Sequence, residues 1–409
     1  MELLRVDTIE AAREKLVNAM QEKKPNIVRL DLLKSLGHIL AQDVIAQEPV
    51  PSFRRSTVDG YAVVSGNTAG ASESLPVLLE MVEEVSMGHP SCCPVKTGTC
   101  GYVPTGGMIP EGADAMVMEE YCEIFDENHL AVYCPVAHGK DVVSQGEDIR
   151  EGELVIKKGT RIRPQEIGVM ASLGIMDVMV YEPWTITIFS TGDELVHPSH
   201  QPAPGEIRDI NSYALSAQAE TYGLKIQEVM VCKDDQETLK GKVSQLMKIS
   251  DLVIISGGSS KGKKDATSQI IDEVTDGHTL IHGLALKPGK PSIFGYDQST
   301  ATLVTGLPGH PVAAMLVFDL LIIWLYKYMT SQKEGHSLFA RMTTNLAGSP
   351  GRTTCQLVRL IKKEQEYYAE PVHGKSGLIT SLTRADGYLM IGQNQEGLNK
   401  DELVEVFYV

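Results

Sequence analysis

Residues 184–329 alternate short apolar runs with runs of helical length, and this alternation constrains the fold more than any other feature of the chain. Residues 184–189 alternate and are β-branched, and STGDEL (190–195) then turns the chain. Asn211 is placed to cap a helix running to Tyr222, with Gly223 as its stop. A strand is expected over 224–232, after which Asp234 and Asp235 open a second helix that reaches 248. DLVIIS (251–256) reads as a buried strand running into the loop GGSSKGKK (257–264), and Asp265 then caps a third helix. A further strand at 302–305 leads into GLPGHP (306–311), whose Pro311 falls in the first turn of a long apolar helix. Strands alternating with helices of this length predict a doubly wound parallel α/β sheet over 181–330.

The remaining length, within 409 residues, leaves room for further domains. Residues 51–140 turn to short apolar runs with many glycines and prolines, the texture of an inserted β-rich module. The flanking stretches 1–50 and 141–180 read as mixed α/β. They carry an amphipathic helix over 7–21, with Asp7 and Glu10 at capping-box spacing, and a helix opened by Pro164. Residues 331–409, with CQLVRLI, GYLMIG and ELVEVFYV between turn signals, read as a small all-β domain.

Several function classes are disfavoured. With 37 basic and 53 acidic side chains the net charge is −16, against binding to nucleic acid or an anionic membrane. The apolar run 312–329 carries Asp319 at its middle, which reads as a buried helix rather than a membrane span. The N-terminus has no uninterrupted apolar run, and seven cysteines without a Cys-x-x-Cys pair fit reduced thiols, so a cytoplasmic location is expected.

In an open α/β sheet ligands bind outside the carboxyl ends of the strands. STGDEL, SGGSSKGKKD and TGLPGHP fall there, and LKPGKP (286–291) lies just before the next strand. Gly-rich turns and helix N-termini favour anions. Lys261, Lys263, Lys264, Lys287 and Lys290 add cations to the same rim, so a protein of charge −16 concentrates positive charge on one edge. Asp193, Glu194 and Asp265 beside them suggest a combined anion and Mg²⁺ site. No Walker motif or G-x-G-x-x-G fingerprint is present.

In order along the chain, PSFRRSTVDGYAV (51–63), PTGGMIPEGADAMVMEE (104–120), GEDIREG (146–152), STGDEL, SGGSSKGKKD, LKPGKP and GLPGHP resemble the molybdopterin molybdenumtransferases of molybdenum-cofactor biosynthesis, relatives of the E domain of gephyrin. The resemblance implies insertion of molybdenum from molybdate into adenylylated molybdopterin, with release of AMP and with Mg²⁺. It also implies a homodimer with a composite active site. In that architecture 1–50 and 141–180 form an elongated linking and dimerisation domain, 181–330 is the molybdopterin-binding domain, and 331–409 is β-barrel-like. The molybdopterin adenylyltransferase and recipient molybdoenzymes are the implied partners.

Carried over by motif, Asp59, Asp148, Glu194 and Asp265 take catalytic roles, and Asp193, Glu194, Asp234 and Asp265 the metal. Ser190, Thr191, Gly192, Gly257, Gly258, Pro288, Gly289, Pro308, Gly309 and His310 line the substrate. Ser260, Lys287, Lys290 and Ser376 match the molybdate-binding set. Asp59, Thr105 and Asp148 face the cleft from the other subunit. The chain departs from the family at Arg54 and Arg55, at Lys261, at His310 in place of Asn, and at Leu357, where the family has an arginine for which Arg359 is the nearby substitute on the same strand face. Two alternatives stand beside the transferase: a non-catalytic molybdopterin-binding or scaffold paralogue, and a redox or zinc protein built on the cysteines at 92–134.

Overall fold

The computed structural model describes residues 6–233, 235–257, 264–333, 335 and 337–408. Four bodies are built along the chain, and each has its own apolar cluster or shares one with a neighbour.

The first helix, Ile9–Met20, is capped by Thr8, whose hydroxyl accepts from the Ala11 amide, rather than by Asp7. Asp7 instead pairs with Lys15 at 2.7 Å. Ile9, Ala12, Leu16 and Met20 pack into the cluster of Trp184, Ile186 and Leu284, so this helix belongs to the α/β body and not to the linking unit. The linking unit begins at the strand Ile27–Asp31, which pairs antiparallel with Asp177–Tyr181. Its core joins Leu40 and Val44 to Ile149, Ile162, Met170 and Val180, two segments about a hundred residues apart in sequence.

The β-rich module intervenes as one six-stranded sheet: Ala115–Met118, Gly60–Val63, Thr99–Val103, Val77–Glu84, His129–Val132 and Cys122–Ile124. Its strands alternate faces. Tyr61 and Val63 pack with Leu79 and Leu130, whereas Ala62 packs on the other side with Val103 and Met116.

The α/β sheet has the order Lys225–Cys232, Thr185–Thr191, Leu252–Gly257, Thr302–Leu307, Ile293–Asp297, Thr279–His282. The first four strands are parallel, as expected. Ile293–Asp297 is not: it runs antiparallel to both neighbours, with Ile293 opposite Gly306 and His282. The connection from 298 to 301 is too short for a crossover, which takes a dozen or more residues. Asp297 closes it as a tight turn by accepting from Ser299 and from both the amide and hydroxyl of Thr300. The reversal brings the segment 283–292, with LKPGKP, to the same edge as the carboxyl ends of the parallel strands.

The long apolar helix Pro311–Met329 is long and apolar enough to cross a membrane, yet it packs in the interior, with Val317, Phe318, Leu321, Ile322 and Ile323 fully buried. Its middle, Phe318–Ile323, is wound as a π-helix. There Asp319 accepts from Tyr222 Oη at 2.8 Å and Tyr388 Oη at 3.0 Å, and burial with the nearby carboxylate raises both phenols above their ordinary range.

The last domain is a closed five-stranded barrel, Thr353–Lys363, Glu366–Pro371, Ser337–Met342, Leu403–Tyr408 and Gly387–Ile391, shut by pairing of the last strand with the first. The short strand Leu286–Lys287 of the α/β body adds to the barrel's first strand, pairing with Thr353 and Thr354.

Candidate active site

The carboxyl edge of the α/β sheet faces the barrel across a cavity of about 320 Å³. Lys287, Pro288, Gly289 and Lys290 line it from one loop, and Pro308, Gly309 and His310 from the next. Ser376 and Arg352 come from the barrel. Eight expected substrate residues therefore meet in one place. No lining residue is acidic, while three carry permanent positive charge.

The walls are fixed from behind. His310 Nδ1 lies 2.8 Å from Ser376 Oγ, and the Val312 amide donates to the Ser376 carbonyl, which joins the two bodies at the cavity rim. Lys287 Nζ donates to Ser349 Oγ at 2.8 Å. Gly289 is required by its conformation: φ is +126° and a Cβ would stand 2.8 Å from Leu286 and Val317 side chains. The Gly309 carbonyl accepts from Asn211 Nδ2 at 3.0 Å, and the same amide donates to Ser256 Oγ at 2.8 Å. Asn211 is thus the first residue of the helix Asn211–Thr221 rather than its cap, its side chain being committed to the loop. The helix start is held instead by Asp209, which is 3% exposed and accepts from the Ser212 amide and hydroxyl and from Ser190 Oγ.

The other expected residues fall elsewhere. Ser190 and Thr191 are buried at the end of the central strand, with the Ser190 hydroxyl spent on Asp209. At Gly257 φ is +126° and a Cβ would lie 2.1 Å from the Thr191 carbonyl, so the two strand ends approach as only glycine allows. Glu194 sits against Gly192, where a Cβ would meet its carboxyl group at 2.9 Å, and Asp193 and Glu194 are both exposed. Asp59 accepts from the Thr105 amide at 2.8 Å, so this pair is assembled within the β-rich module. Asp148 lies in a separate hollow with Glu147, Glu151 and Glu153. None of Asp59, Thr105 and Asp148 lines this cavity. Asp234, Gly258, Ser260 and Lys261 lie outside the described residues, and Asp265 is placed only as the second residue of the helix Lys264–Val274.

Asp193 and Glu194 are oxygen donors of the kind Mg²⁺ takes. Among the described residues, however, no three His, Cys, Asp or Glu side chains gather as a metal site. The cysteines at 100 and 122 face the interior of the β-rich module, and burial pushes both thiols up to about 12, so neither is a thiolate at neutral pH.

Sequence reasoning missed Asp209, Asn211 as a loop anchor, Ser349 and Arg352. Only Arg352 carried a signal, as half of the Gly-Arg pair that precedes the barrel's first strand. Two departures also resolve. Arg54 donates to the Ala113 and Pro110 carbonyls and pins a loop inside its own module. Arg359 does not replace the missing arginine: it pairs with Glu370 at 3.6 Å, well exposed, and lines no part of the cavity.

A mixed α/β sheet whose carboxyl-edge loops meet a closed barrel defines a multidomain protein with a basic, acid-free cavity at a domain junction. The chain matches, over residues 7–174, the MoeA N-terminal region (domains I and II), over 187–327 a molybdopterin-binding domain, and over 340–408 the MoeA C-terminal region (domain IV). It belongs to the MoeA family. A molybdopterin biosynthesis protein of Methanocaldococcus jannaschii is 32% identical, covering 96% of this chain and 95% of its own. A molybdopterin molybdenumtransferase of Bacillus subtilis is 29% identical over 92% of this chain and 88% of its own. The crystal structure of a molybdopterin biosynthesis MoeA protein from Pyrococcus horikoshii superposes with a TM-score of 0.82 at 33% identity, covering 99% of both chains.

Proposed function

We propose that the chain is a molybdopterin molybdenumtransferase, which inserts molybdenum from molybdate into adenylylated molybdopterin and releases AMP. The observation that carries this reading is the cavity at the junction, with three permanent cations, a serine and a histidine and no carboxylate. Such a set suits a tetrahedral dianion, whose four oxygens take charge-assisted hydrogen bonds from ammonium, guanidinium and hydroxyl donors. Relatives named molybdopterin molybdenumtransferase match the chain nearly end to end.

The chemistry asks little covalent work of the protein, because the adenylate carries its own leaving group. Lys287 and Lys290 would hold molybdate, and Ser376, oriented by His310, would fix its rotation. Holding the oxyanion against the dithiolene turns an encounter into an internal reaction. The same fixed cations stabilise charge that builds as the metal–oxygen bonds exchange. Mg²⁺, when bound at the Asp193–Glu194 rim, would supply charge neutralisation for the phosphates.

Asp59, Thr105 and Asp148 would complete the site from the second subunit of a cytoplasmic homodimer, which accounts for their absence from the cavity of their own subunit. Incubation with adenylylated molybdopterin, molybdate and Mg²⁺ is expected to release AMP, and Lys287→Ala to slow that release about tenfold or more. Absence of AMP while the adenylate is demonstrably bound would overturn the proposal.

A further inference from the structure

We infer that Arg352 is a substrate-binding residue of the cleft, supplying the guanidinium by which the barrel grips the oxyanion. The inference rests on the functional reading above and adds to it a residue that is not among those carried over by motif.

Strand pairing joins the two bodies beside the cavity. Leu286 is paired with Thr353 and Lys287 with Thr354, and the Thr353 amide donates to the Ala285 carbonyl at 2.8 Å. Arg352, the residue before Thr353, is thereby held beside the lysine loop. The turn that carries it is closed by the Arg352 amide donating to the Ser349 carbonyl at 3.0 Å, and Ser349 in turn receives Lys287 Nζ. Backbone ladder, turn and side chain thus all bind this segment to the same loop. Arg352 lines the cavity with Lys287, Lys290 and His310.

Its charge has no partner among the described residues. Among the described residues neither the Arg352 guanidinium nor the Lys290 ammonium enters an ion pair or a hydrogen bond. Like charges gathered in one wall without a counter-charge repel, and the arrangement is relieved when an anion enters. The two other positions that could have supplied a guanidinium do not. Leu357 is 5% exposed and packs in the apolar cluster under Tyr388, where a charge would be desolvated. Arg359 is committed to Glu370 across the ladder. A planar fork presents two parallel donors to a tetrahedral oxyanion, which a lysine cannot match.

The test is equilibrium dialysis of the full-length protein against molybdate alone, with metal analysis, for wild type, Arg352→Ala, Arg352→Lys, Arg359→Ala and Lys287→Ala. Thermal melts check that each variant is folded. Arg352→Ala is expected to weaken molybdate binding by about tenfold or more, the loss typical of a charge-assisted contact. Arg352→Lys should fall between it and wild type, and Arg359→Ala should bind as wild type does. If wild type binds, Lys287→Ala loses binding and Arg352→Ala binds normally, Arg352 is not a ligand and the inference fails while the site stands. If folded wild type binds no molybdate, the oxyanion reading of the cavity fails with it.

Discussion

Asp209 illustrates how much of an active-site wall a single buried side chain can organise. Its two oxygens take the Ser190 hydroxyl from the central strand and both donors of Ser212 from the following helix, so strand end and helix start are set by one carboxylate. Nothing in the surrounding residues marks it, because a carboxylate that spends its lone pairs inward looks in sequence like any acidic residue before a helix. The lysines of the 286–291 loop were legible for the opposite reason: cations beside Gly and Pro turns have few structural uses. Gly257 offers a direct test at this scale. Alanine there would place a Cβ 2.1 Å from the Thr191 carbonyl at φ +126°, so both contact and conformation oppose it. Gly257→Ala is expected to cost at least about 2 kcal/mol, read as a shift in the urea midpoint. An unchanged midpoint would mean the two strand ends are not packed as described.

Elements were predictable where periodicity alone decides and were misread where a local hydrogen bond overrides it. The parallel order of four strands followed from their alternation with helices. The reversal at Ile293–Asp297 was written in the short 298–301 connection, but four apolar-flanked residues say little unless the Asp297 turn is seen. The helix Pro164–Ser172 illustrates a reliable signal, with proline at its first turn and Glu166 reaching back to the Arg163 amide at 2.9 Å. The Arg163 side chain, prevailing over burial, holds Glu166 below the ordinary carboxylate range. A carboxylate lowered on folding adds stability above its unfolded value and loses it as pH falls through the folded one. Glu166→Gln should therefore cost about 1 kcal/mol near neutrality and progressively less as pH drops below 4.5. Thermal melts across that range would check it; a penalty that grows on acidification would contradict the assignment.

At the scale of the whole molecule, texture alone separated the β-rich insert, the α/β body and the terminal β domain, because each buries its apolar residues with its own period. It could not assign the first helix, whose apolar stripe says that it packs but not on what. The expected homodimer has its own test. Asp59→Asn and Lys287→Ala subunits should each release little AMP alone. After mixing and subunit exchange they should recover activity, since one cleft of the hybrid would hold neither substitution. Failure to recover, with hybrids shown to form, would exclude a site shared between subunits.

The two residues Leu286 and Lys287 are counted in the α/β body by sequence, yet they extend the barrel's first strand. Such a stitch makes the boundary near residue 330 a poor place to cut or graft. A barrel exchanged from a relative would have to arrive with a matching 283–292 segment, so loop and barrel are expected to vary together in evolution as one inherited cassette.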